Sequence, residues 1–74
     1  MLGLRAADPR LRQEAAEFAQ ATGDWAVAAG HWKKMVELEP GRALSWNSLG
    51  YAEAQRGKTD EAVRAILEYQ KRAP

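Results

Sequence analysis

One histidine, two glutamates a helical turn apart, scattered glycines and three tryptophans are the residues of this chain whose types could do chemistry. His31 would serve a nucleophilic triad or a zinc site, but both need partner side chains at recognisable spacings, and none stands near it. It reads as a plain surface residue. Glu14 and Glu17 could share a cation, yet two exposed carboxylates without an aspartate-rich loop form a solvated helix face. Gly23, Gly30, Gly41, Gly50 and Gly57 stand apart, so no glycine-rich phosphate cradle exists. Trp25, Trp32 and Trp46 could stack bases or cage a ligand, but they fall at the spacing of an inward helical face. No enzyme, no cofactor and no metal is expected.

The elements that carry these residues are set by composition. The chain has 74 residues, room for one domain of four helices. A chain this short buries only about 60% of its unfolded surface. Without cysteine, neither disulfides nor thiolate metal sites can compensate, so packing must. Eleven Lys and Arg are interspersed with ten Asp and Glu, leaving no basic stripe for nucleic acid or an anionic membrane. Met1-Leu2-Gly3-Leu4-Arg5 lacks the apolar run of a secretory signal, and no transmembrane run follows, so a cytoplasmic location is the expectation. Fifteen alanines against three prolines make the fold all-α.

Asp8-Pro9 starts the first helix, because Asp caps free N–H groups and proline fits the first turn. Leu11, Ala15, Phe18, Ala19 and Thr22 then share an arc of about 100° opposite Arg10, Gln13, Glu17 and Gln20. Gly23 ends this helix and Asp24 caps the next, which turns Trp25, Ala28, Ala29, Trp32, Met35 and Val36 to one face. Pro40-Gly41 stops it. A third helix runs from about Ala43 to Arg56, with Trp46 and Leu49 inward and Gly57 at its end. Thr59 and Asp60 open a fourth, carrying Ala62, Val63, Ile66 and Tyr69 inward, with Asp60 and Glu61 at the positive end of its dipole. Pro74 closes it. Glu53 projects onto the inward arc, so it must be at least partly buried and answered by a cation or a donor, Arg56 being the local candidate.

Sliding the chain on itself until Gly23 meets Gly57 also aligns Ala28 with Ala62 and Pro40 with Pro74. Each identity falls at the same joint of a helix-turn-helix unit. The pattern resembles the tetratricopeptide repeat, W-x2-L-G-x2-Y, then A-x3-F, then P, and the offset equals that family's period. Trp46, Leu49, Gly50, Ala62, Ile66 and Pro74 match it in the second unit. The first unit keeps Ala28, Trp32 and Pro40 but offers Arg12, Ala15 and Ala16 in the opening cluster. Glu53 stands where the family usually has an aromatic, and Tyr69 where a small residue is common. The resemblance implies two tandem antiparallel hairpins, an α-α superhelix, over residues 9–40 and 41–74 after an N-terminal extension, 1–8.

The resemblance also implies a function: a scaffold that binds a protein or peptide in the concave groove lined by the first helix of each repeat. Arg10, Gln13, Glu17 and Gln20 would line it from the first unit, and Leu44, Asn47, Tyr51 and Gln55 from the second. An exposed aromatic beside amides suits peptide recognition. The paired lysine and asparagine of a clamp for acidic chaperone tails are missing. The alternative is a self-association module, since apolar residues of the fourth helix spread over about 200° of arc, wider than one packed face needs. That reading expects a homodimer through the edge around Tyr69.

Overall fold

The computed structural model describes residues 8–73, and the readings made of Met1 to Arg5 and of Pro74 lie outside them. Among the described residues four helices follow one another: α1 (Pro9–Ala21), α2 (Trp25–Leu38), α3 (Ala43–Gln55) and α4 (Thr59–Arg72). Every boundary of α3 and α4 repeats a boundary of α1 and α2 at one constant offset, the same that carries Gly23 onto Gly57.

The recurrence extends to the hydrogen bonds of the turns. After α1, Asp24 N donates to Ala19 O at 2.8 Å and Gly23 N to Gln20 O at 3.1 Å. After α3, Lys58 N donates to Glu53 O at 2.9 Å and Gly57 N to Ala54 O at 3.0 Å. This pair of bonds satisfies the last helical carbonyls and requires a left-handed residue between them. Gly23 and Gly57 supply it, at φ 80° and 78°. Both turns therefore reverse the chain tightly and make each helix pair an antiparallel hairpin. The N-terminal sides are capped unequally. Asp8 and Asp24 accept bonds from Arg10 N and Val27 N, whereas α3 and α4 start at Arg42 and Lys58 without a side-chain cap.

Helix α2 is the spine: Ala28, Ala29, Trp32, Met35 and Val36 are buried on one face. It packs against α1 on one side and α3 on the other, and α3 in turn packs against α4. Burying Met35, Val36 and Leu49 contributes about 1.5–3 kcal/mol each. Gly50 is the closest approach. A Cβ there would lie 2.7 Å from Ile66 Cδ1, 2.9 Å from its Cγ1 and 3.3 Å from Ala62 O. Trp46 is half-buried, donates its indole N–H to Pro40 O at 2.9 Å and carries the Arg72 guanidinium 4.8 Å above its ring.

Two helix faces are turned from where periodicity puts them. In α1 the buried residues are Ala16 and Ala19, while Leu11 and Phe18 are 39% and 72% exposed and Thr22 faces water. In α4, Ala62 and Ala65 are buried and Val63 is exposed. Both helices face their neighbours with alanine, which lets axes approach closely and leaves the large side chains on the flanks.

Candidate functional site

Helix α3 presents the most distinctive open surface. Leu44 and Tyr51 are 52% and 53% exposed, with Asn47 exposed between them at helical spacing. Their placement follows from the opposite face of α3, where Ser45, Leu49, Ala52 and Glu53 are buried. Tyr51 is braced by Trp25 at the start of α2, whose ring meets it edge-on at 5.3 Å and 67°. That contact fixes the ring while leaving much of it in solvent, the arrangement expected of an aromatic anchor.

The face expected from sequence is only partly gathered. Gln20, Asn47 and Tyr51 line one groove of about 610 Å³, which continues over α4 along Val63, Ile66 and Leu67. Gln13 lies on the neighbouring part of α1, where Arg42 Nη2 donates to its Oε1 at 2.9 Å and its amide donates to Glu17 at 3.3 Å. Arg10 is outside the groove, folded back on Asp8 at 3.4 Å. Glu17, Leu44 and Gln55 are exposed and do not line the groove. Gln20 has a structural task as well, since its side-chain oxygen accepts the indole N–H of Trp32. Periodicity puts Val63 and Ile66 in the core, so the sequence reads the surplus apolar arc of α4 as a self-association edge and not as a wall of this groove. Leu67, within the wide apolar arc of α4, is the signal that could have found it.

On the opposite side, Glu53 is 1% exposed and its Oε1 takes a 2.8 Å ion pair from Arg56 Nη1, as its inward position required. Glu61 lies beside this pair. Its carboxyl is held below the ordinary value first by hydrogen bonding with the Glu53 carboxyl, then by the charges of Lys58, Lys33 and Arg56. Glu68 is likewise held low, first by Arg72 and then by Lys71. His31 is half-buried, its Nδ1 3.5 Å from Arg12 Nη1, not on open surface. The buried charge of Glu53 is thus taken up by pairing between side chains, and among the described residues no helix is long and apolar enough to cross a membrane.

Comparison of the chain with protein-family models, curated proteins and solved structures gave no match. Over the described residues the fold is all-α, with four helices in two hairpins and the second hairpin reiterating the helix limits of the first.

Proposed function

We propose that this domain is a two-repeat module of tetratricopeptide type that binds an extended peptide or a partner protein and catalyses nothing itself. The observation that carries the binding reading is the pair of exposed apolar side chains, Leu44 and Tyr51, flanking Asn47. An aromatic and an aliphatic anchor beside a two-way amide can bury a partner side chain and satisfy the partner's backbone in one contact. The family reading is supported by the constant offset at which helix limits and turn bonds recur and by the small residue at Gly50.

The test is selection from a random extended-peptide library, followed by amide chemical-shift mapping of a selected peptide on the domain. Shifts should cluster at Leu44, Asn47 and Tyr51. Tyr51→Ala and Asn47→Ala should each weaken binding by about tenfold, or about 1.4 kcal/mol, with the helical circular dichroism signal intact. Peptides that bind equally well to both variants would overturn the reading.

A further inference from the structure

Besides Leu38, Leu44 and Tyr51, the exposed large apolar side chains fall into two groups. Leu11, Phe18 and Val27 lie on the first hairpin, and Val63 and Leu67 on the last helix. The recurrence of the two hairpins tells what each would meet. Helix α3 packs on α2, and α1 occupies in the first hairpin the place that α3 occupies in the second. Position for position, Leu11 and Phe18 correspond to Ser45 and Ala52, both buried on α3. Val63 and Leu67 correspond to Ala29 and Lys33 on α2. The outer face of α1 and the outer face of α4 are thus the two halves of one junction that the molecule already builds once, between its own hairpins.

The chemistry of the two halves is matched. Inside the chain, Lys33 and Glu61 face the same cavity beside Glu53, and the lysine lowers the Glu61 pKa across it. At the open ends the equivalents of Lys33 and Glu61 are Leu67 and Val27, both exposed, so a charged pair is replaced on both sides by an apolar pair. Bulk is exchanged too. The core holds large Trp32 and small Ala52, whereas the ends carry smaller Ile66 and larger Phe18, with the α4 groove open to receive the ring. Tyr51 against Trp25 is replaced by Glu17 and Thr59. There an acid would meet Lys58 and the uncapped start of α4, a favourable pairing with the positive end of a helix.

We propose that a second copy of this chain docks its α1 face, Leu11, Phe18 and Val27, onto the α4 face, Val63, Ile66 and Leu67, of the first. The interface is heterologous, so each copy retains one free face of each kind and association continues beyond a dimer. It fills the α4 part of the groove that Asn47 and Tyr51 also line, and it is argued from the recurrence of the hairpins, not from peptide binding.

Sedimentation velocity from micromolar to millimolar concentration tests this. The wild-type mass should climb past twice the 8.2 kDa of the chain. Phe18→Glu and Leu67→Glu, both at exposed positions, should each remain monomeric with unchanged helical content. Their equimolar mixture should form dimers and nothing larger, because each variant keeps one intact face, and this also shows that both are folded. A wild type monomeric throughout would overturn the proposal. So would a Phe18→Glu variant that still associates, which would place α4 against α4 instead.

Discussion

At the scale of single residues, Gly50 and Glu53 show how a helix pair so dependent on small side chains is held. Gly50 normally weakens a helix by about 1 kcal/mol relative to alanine, yet the gap to Ile66 leaves no room for a methyl. Gly50→Ala therefore gains propensity and loses packing, and overpacking a tight contact costs about 1–3 kcal/mol. A net loss of stability is expected in urea unfolding. Ile66→Val, which removes the Cδ1 atom 2.7 Å from the new methyl, should recover part of it in the double variant. Additive losses would mean that the helices move apart instead. The smallness of Gly50 and the pairing of Glu53 with Arg56 could both be read from the sequence, because each is a demand of local geometry. The hold of Gln20 on the Trp32 indole could not, since it links residues twelve positions apart on different helices through two flexible side chains.

Helix limits were legible for the same local reason: Asp8-Pro9, Gly23-Asp24, Pro40-Gly41 and Gly57 each dictate backbone geometry by themselves. The facing of α1 and α4 was not. Periodicity places Ala19 and Ala62 inward, where they are, but it also assigns Phe18 and Val63 inward, and these stay on the flanks while Ala16 and Ala65 fill the contacts. The candidate site was legible on α3, where Tyr51 and Asn47 fall opposite a buried face, and not on α4. Glycine's two uses separate cleanly at this scale. Gly30 lies exposed within α2, with nothing within 4 Å of an added Cβ, whereas Gly57 is fixed at φ 78° in the turn after α3. Gly30→Ala should raise stability by about 0.5–1 kcal/mol through helix propensity. Gly57→Ala should lower it by about 1–2 kcal/mol, the cost of a left-handed alanine. Thermal melts of the two variants check this, and a stabilised Gly57→Ala would mean that the turn bonds at Lys58 and Gly57 do not hold the hairpin.

At the scale of the whole molecule, which spans 38 × 28 × 16 Å, three carboxyls at the surface link stability to pH. Asp8 caps α1 and is held below its ordinary value of 3.8 by the backbone N–H of Arg10, then by its guanidinium. Glu61 and Glu68 are held below 4.5, the first by Glu53 and then by Lys58, Lys33 and Arg56, the second by Arg72, which also stacks on Trp46 and donates to Pro40 O. All three shifts have the same sign. A carboxyl whose pKa is lower folded than unfolded releases its proton more readily in the native state, so its stabilisation is complete above the unfolded value. It is lost as pH falls through the folded one. From these groups stability should be level from neutral pH down to about 5 and should decline steadily below 4.5. Association would add its own concentration-dependent stabilisation, so urea unfolding at pH 3 to 7 belongs in the Phe18→Glu background. Glu61→Gln with Glu68→Gln should be less stable at neutral pH and show a shallower acid slope, because two of the three linked protons are gone. An unchanged slope would show that the acid sensitivity of the fold resides in other carboxylates.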